Sequence, residues 1–304
     1  MAVQPLDYYC SRLAIGARER IFGTASTVDV WLLLEYHGAW NRDLLADSRL
    51  PPDVKRALVG VLRSVPRSRV LFIKREPRDR SGLFFYLANT RAERQALYKL
   101  ALDDYRDLLS IDLAALAGGT ASEDRHVVDG PLYLVCVNGK HDRCCAKFGL
   151  PVYREMTRWA GEAVWQSSHV GGDRFAANVV CLPSGVYYGH VDPDETPRIV
   201  DDTADGQVYL EKYRGRSCYP FPVQAAEYFA RVASGLTGVD ALGLRDTSRS
   251  DDGLIRAQFA ERPGDRLHTL ELVRVPAAFR NYLGCGNATE SDVPQYTLRS
   301  YRVS

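Results

Sequence analysis

The same order of short apolar strands and helix-spaced segments occurs twice along this chain, and that recurrence limits the fold more than any other feature. In the first stretch, residues 28–36 (VDVWLLLEY) form a strongly apolar strand candidate. Residues 51–65 follow, with Val54, Leu58, Val61, Leu62 and Val65 at helical spacing and two prolines at the start, where a helix accepts them. Strands are expected at 70–73 and 83–87, joined by the charged turn REPRDRSG. A helix is expected over 90–109, where Leu97, Leu100, Ala101 and Leu108 give a partial apolar face. The second stretch repeats the order: strand 132–137, a polar loop carrying cysteines, helix 151–159 opened by Pro151, and strand 163–167. Strands 177–182 and 186–191 then pair through a Pro-Ser-Gly turn, and 222–236 reads as an amphipathic helix. Between the stretches, residues 114–130 (AALAGGTASEDRHVVDG) shift to Ala, Gly, Ser and Asp and read as a linker.

This order suits a thioredoxin-like α/β unit, a mixed sheet with helices packed on its faces. The expectation is two thioredoxin-like halves with a β-rich C-terminal extension. The first half, 1–118, has no matching thiols; the second, 128–240, carries the chemistry. The extension, 241–304, has β-rich runs at 254–259, 267–275 and 296–303. A length of 304 residues agrees with about two domains, and 46% hydrophobic residues leave room for real cores. Net charge is +1 and no basic stripe is visible, so nucleic acid is not an expected partner. The longest apolar runs, VWLLL and LYLVCV, fall far short of a membrane span. The start, MAVQPLDYYCS, lacks a basic stretch followed by an apolar one. No membrane and a cytoplasmic setting are therefore expected. Thiols stay reduced there, and an odd total of seven cysteines points to metal or redox chemistry rather than a disulfide framework.

Two segments hold that chemistry. CVNGKHDRCC puts Cys136, Cys144 and Cys145 on one short stretch beside Lys140, His141 and Arg143, whose positive charge favours thiolate. HVGGDRFAAN sets His169 and Asp173 about Gly171 and Gly172, which let the backbone turn sharply and approach a bulky group. Functional groups gather on loops at strand ends in a sheet of this kind, so the two segments can converge. Each residue also has an ordinary reading: Cys136 as a small buried hydrophobe, His169 as a hydrogen-bonded loop residue, Asp173 as a turn cap or a partner of Arg174. The neighbouring cysteines diverge, so one of Cys144 and Cys145 is expected to bind with Cys136. Cys181 reads as core, and Cys10, Cys218 and Cys285 have no assigned chemistry. The chain lacks C-x-x-C, H-x-x-x-H and the ferredoxin cysteine runs. Spacing alone reaches a soft-ligand metal or redox site.

The pieces LVCVNGKHDRCCAKFGLPV, SSHVGGDRFAANVVCLPSGVYYGHV and YRGRSCYPFPVQAAE resemble the sucrase/ferredoxin-like family, as do CSRLAIGARERIFGTA and WLLLEYHGAW nearer the N-terminus. The resemblance covers most of residues 10–230. It implies a thioredoxin-like ferredoxin fold and a [2Fe–2S] cluster, held in fungal members by two cysteines and two histidines four residues apart. By position, Cys136 and Cys145 match the cysteines and His169 the first histidine. Asp173 stands where the second histidine belongs, which leaves Asp173, Cys144 or a water as fourth ligand. Gly171, Gly172 and Arg174 would shape and charge the cluster loop. The implied job is one-electron transfer with a reductase or oxidase partner, as a redox carrier rather than a stand-alone enzyme. Replacing thiolate by neutral imidazole raises a cluster's potential, and an aspartate ligand lowers it again. The pair of carboxylates that a sucrase would need cannot be picked out.

Other chemistry fits the same residues. A thiol oxidoreductase would use Cys144 or Cys145 as nucleophile, helped by Arg143 and His141. A zinc-stabilised binding module would use Cys136, Cys145, His169 and Asp173. A scaffold whose site has lapsed would bind no metal.

Overall fold

The structure, a computed structural model, describes residues 8–76, 82–118 and 126–304. The first residues of the N-terminal segment, the centre of the charged turn and residues 119–125 of the expected linker lie outside the described residues.

A short helix, α1 (Cys10–Gly16), precedes β1 (Val30–Glu35), α2 (Pro52–Ser64), β2 (Ser68–Lys74), β3 (Leu83–Arg91) and β4 (Arg94–Leu102). Pro51 and Pro52 open α2 with Asp53 in its first turn, as a helix N-terminus favours. After α3 (Leu113–Gly118) come β5 (Leu132–Cys136), α4 (Arg143–Ala160), β6 (Val164–Ser167), β7 (Val179–Leu182) and β8 (Val186–Tyr188). The helix α5 (Thr196–Ala204), the strand β9 (Tyr213–Arg216) and the helix α6 (Phe221–Ser234) follow. Among the described residues, no helix is long and apolar enough to cross a membrane.

Among the described residues, nine strands make one mixed sheet in the order β4-β3-β1-β2-β6-β5-β7-β8-β9. In the first part β1 runs parallel to β2 and antiparallel to β3, and β3 pairs with β4. In the second part β5 runs parallel to β6 and antiparallel to β7, and β7 pairs with β8. The pairing scheme is therefore the same in both. Each parallel pair needs a crossover, which α2 and α4 supply. The two parts join edge to edge where Ile73 and Lys74 of β2 face Ser167 and Gln166 of β6. Both faces of the sheet are covered. Val30, Leu32 and Leu34 of β1 enter a core with α2, α4 and α5, while Trp31 and Leu33 enter a second core that holds Cys136 and Cys145.

A separate antiparallel sheet of four strands, β10 (Leu242–Arg249), β11 (Ile255–Glu261), β12 (Leu267–Asn281) and β13 (Ser291–Val303), packs on α6. Three of these strands contain the expected β-rich runs. β10 was not expected, because only Leu242 and Gly243 of its eight residues are buried and, Leu244 apart, the rest is polar and exposed.

Three local expectations are corrected. Residues 90–109 are not one helix: they close β3, form β4 and end in a 3-10 turn at Tyr105–Ser110. Ala, Gln, Leu and Lys favour helix, but continuous pairing of β4 with β3 from Arg94 to Leu102 outweighs that small preference. Cys144 and Cys145 do not lie in a loop but in the first turn of α4. That helix begins eight positions before Pro151, which sits inside it. Asp142 explains the early start: its side chain accepts the Cys144 N–H at 2.8 Å, as an N-cap does. The missing N–H of Pro151 is tolerated because both sides of it are fixed by burial, with Cys145 and Gly149 before it and Val152, Tyr153 and Met156 after it.

Gly149 sets how closely α4 lies on the sheet. A Cβ there would stand 2.1 Å from the Cys136 carbonyl oxygen. Gly149→Ala is expected to push α4 off the end of β5 and to cost about 1–3 kcal/mol as an overpacked site. A urea unfolding midpoint unchanged from the parent would contradict this packing.

Candidate metal centre

Cys136 is the last residue of β5, and its side chain falls on the sheet face of the second core. Cys145 is on the first turn of α4, and successive helix residues point about 100° apart. Cys145 therefore faces Cys136 while Cys144 faces elsewhere. The ligand atoms of Cys136, Cys145 and His169 lie within 4.8 Å of one another, with both sulfurs buried. His169 Nδ1 is 3.9 Å from the Cys145 sulfur. Asp173 closes the group: its Oδ1 is 3.4 Å from that sulfur and 3.0 Å from His169 Nδ1. The structure thus brings together four of the five residues expected as ligands. Cys144 is placed with Cys10 and Cys285 instead, its sulfur 3.6 Å and 3.3 Å from theirs.

His141 belongs to the pocket too. Its ring stacks on His169 with centroids 3.6 Å apart, and its Nε2 is 3.7 Å from Asp173 Oδ2. The sequence presented it only as a basic neighbour, because nothing in the order of residues shows two loops stacking their imidazoles. Burial and the neighbouring His169 bring the His141 pKa down to about 4, so it is neutral near pH 7 and can bind metal without losing a proton. The Cys136 thiol is held well below its ordinary range by hydrogen bonds from Cys145 and His169. Cys145 is pushed up by sharing its proton with Cys136 and by burial. Burial also raises the Asp173 carboxyl, against the opposing pull of His169.

The loop from His169 to Asn178 is held by cations from both parts of the chain. Arg69 of β2 donates to the carbonyl of His169 at 2.6 Å and of Val170 at 2.9 Å. Ser168 and Phe72 exchange bonds across the seam between the parts. The first part carries none of the four closest ligands, yet it fixes where His169 stands. Arg214 of β9, fully buried, donates to the Gly171 carbonyl at 3.0 Å and to Asn178 Oδ1 at 2.7 Å. Burial lowers its pKa to about 10, which still leaves it charged near pH 7. Gly171 and Gly172 have φ of +103° and +84°, and a Cβ on Gly172 would meet the Arg214 guanidinium at 2.4 Å. Both glycines shape the loop. Arg174 turns to the buried Glu19 instead, at 2.7 Å, and ties the loop to the segment after α1.

The donor set of two thiolates, one imidazole and one carboxylate suits zinc or an iron–sulfur cluster. A family model described as Sucrase/ferredoxin-like matches residues 21–215, a span that includes these donors. Two curated relatives are called Altered inheritance of mitochondria protein 32. The one from Meyerozyma guilliermondii is 34% identical over 104 residues, 31% of this chain and 36% of the relative. The one from Debaryomyces hansenii is 33% identical over 96 residues, 28% of this chain and 35% of the relative. The chain therefore matches about a third of each relative's length. No solved structure matches it significantly.

Arg214→Met would strip the partners from the Gly171 carbonyl and Asn178 inside the protein. The expected loss is about 3 kcal/mol in denaturant unfolding, from buried acceptors left unpaired. Arg214→Lys should recover only part of it, since one ammonium cannot reproduce the planar fork.

Proposed function

The chain belongs to the sucrase/ferredoxin-like family, and we propose that it is a one-electron carrier whose Cys136, Cys145, His169 and Asp173 hold a [2Fe–2S] cluster. The observation that carries this reading is the meeting of the Cys145 sulfur and His169 Nδ1 at 3.9 Å beside Cys136, in a pocket built from the end of β5, the first turn of α4 and the loop after β6. When bound, such a group supplies reversible one-electron transfer. Asp173 is the fourth ligand in this reading, because it touches both Cys145 and His169 while Cys144 is turned away. Each part of the large sheet then reads as a thioredoxin-like unit, only the second bearing ligands.

The chain's own groups divide the work. Cys136 and Cys145 sit with the buried core and exclude water from their side of the pocket. His169 and His141 form the partly exposed edge, with side chains 16% and 24% accessible. That edge is where a reductase or oxidase partner would approach. All seven cysteines are free thiols, which suits a reducing, cytoplasmic setting.

One observation favours a second reading, a single zinc ion at the same residues. The Cys136, Cys145 and His169 donors lie within 4.8 Å of one another, a spread that one tetrahedral ion also suits. Thiol catalysis is less well supported, because Cys144 and Cys145 are both fully buried and an attacking thiol needs access.

Protein purified without oxygen is expected to be coloured and to carry about two irons and two sulfides per chain. Cys136→Ser and His169→Ala should each abolish both. Colourless protein with zinc lost on Cys136→Ser would replace this reading by the second one. Asp173→His exchanges an anionic ligand for a neutral one, so potentiometry should find a higher reduction potential than in the parent. An unchanged potential would remove Asp173 from the ligand set.

A further inference from the structure

A second group of donors converges beside the first, from three parts of the chain remote in sequence. Cys10 stands on α1, Asp142 and Cys144 at the start of α4, and Cys285 in the loop between β12 and β13. Their ligand atoms all lie within 4.8 Å of one another. The sulfurs are 3.6 Å apart for Cys10–Cys144, 3.6 Å for Cys10–Cys285 and 3.3 Å for Cys144–Cys285. The two oxygens of Asp142 are 3.9 Å and 3.8 Å from the Cys10 sulfur. A tetrahedral zinc ion with bonds of about 2.3 Å to sulfur and 2.0 Å to oxygen has edges of about 3.8 Å and 3.5 Å. The four donors come close to that tetrahedron. A disulfide would need a sulfur separation of about 2.05 Å, and three thiols cannot all pair.

We propose that Cys10, Asp142, Cys144 and Cys285 form a closed structural zinc site. The surroundings orient each donor, as groups around a metal site do. Asp142 accepts the N–H of Cys144 at 2.8 Å and of Cys285 at 2.6 Å. The Cys10 N–H donates to the Cys285 sulfur at 3.4 Å, and the Ser11 N–H supports the Cys144 sulfur. The first turn of the 18-residue α4 adds its positive end. Arg143 lies over the Tyr9 ring at 5.0 Å, next to a ligand set that keeps net negative charge around a divalent ion. Without a cation Cys10 and Cys285 hold their protons: Cys10 is raised by its bond to Cys144 and by burial, burial pushes Cys285 up to about 11, and the bond from Cys10 lowers Cys144. Zinc would displace those protons and tie three chain segments together.

The tie has a consequence for the first pocket. Cys144 and Cys145 are neighbours on one turn, so the zinc would fix the helix end that presents Cys145. It would also pin residues 282–287 against the pocket. A Cβ on Gly284 would stand 3.8 Å from Asp173 Oδ2, so this loop lies over the carboxylate edge of the site. Tyr8 holds the same loop, donating to the carbonyl of Asn287 at 2.9 Å. The C-terminal sheet thus supplies a cover for the first pocket, and the zinc would fasten it. The assignment stands on its own donors, whatever the first pocket binds.

Elemental analysis of the whole 304-residue chain tests it. About one zinc per chain is expected at this site, retained in Cys136→Ser and lost in the Cys10→Ser, Cys285→Ser double variant, which should keep the metal of the first pocket. Cobalt(II) added to metal-free Cys136→Ser protein should give strong sulfur-to-cobalt charge-transfer absorption, which the same protein carrying Cys10→Ser and Cys285→Ser loses. If the double variant fails to fold, alkylation of the parent decides: Cys10, Cys144 and Cys285 should react only after a chelator is added. The proposal is overturned by zinc content unchanged in the double variant, by Cys136→Ser protein with neither zinc nor the cobalt absorption, or by a mapped disulfide between any two of these cysteines. Iron missing from the first pocket while this zinc is present would sink the cluster reading and leave this site standing.

Discussion

The seating of α4 on the end of β5 is the contact on which the rest of the chemistry depends. Asp142 starts the helix by capping the Cys144 N–H, and Gly149 lets it approach the Cys136 carbonyl more closely than any side chain would permit. With the helix so placed, its first turn offers the Cys145 sulfur to Cys136 and the Cys144 sulfur to Cys10 and Cys285. Two donor groups follow from one helix end, because neighbouring residues on a helix look in different directions.

The second constraint is electrostatic and comes from across the seam. A glycine-rich loop would be mobile by itself, since each glycine has much conformational freedom to lose. Here Arg69 from one part of the chain and buried Arg214 from the other hold its carbonyls, and Asn178 donates back to Gly172 at 2.8 Å. Buried cations are costly unless their donors are met. Placing buried Arg214 here holds the loop that carries His169 and Asp173 in one conformation, as the proposed metal site requires. The part of the sheet without ligands is therefore no passive partner.

The apolar strands were legible in the sequence because their signal is local. VWLLLE and LYLVC are buried on both faces, and such strands read as unbroken apolar runs. The prolines of α2 marked its start for the same reason. β4 was misread because its residues favour helix in isolation, and only pairing along β3 makes them a strand. The early start of α4 was missed because Pro151 is the stronger local signal, while the cap at Asp142 is a single side-chain bond. Of the first site, Cys136, Cys145, His169 and Asp173 could be picked out from two residue clusters and a family resemblance. His141 as a pocket member could not, since its role arises from stacking on a ring in another loop.

By itself the sequence determined that this is a mixed α/β chain with the same order of elements in two stretches. It also determined that thiols, an imidazole and a carboxylate are concentrated in two short segments of the second. Those properties reside in runs of adjacent residues, where periodicity and chemical type are read directly. Only the tertiary structure decided that the two stretches share one sheet through β2 and β6, and that Cys144 parts company with Cys145. It alone brought Cys10 and Cys285 to the same corner. Contacts between residues 10, 144 and 285 depend on where whole helices and hairpins pack, and no local pattern in the chain encodes that distance.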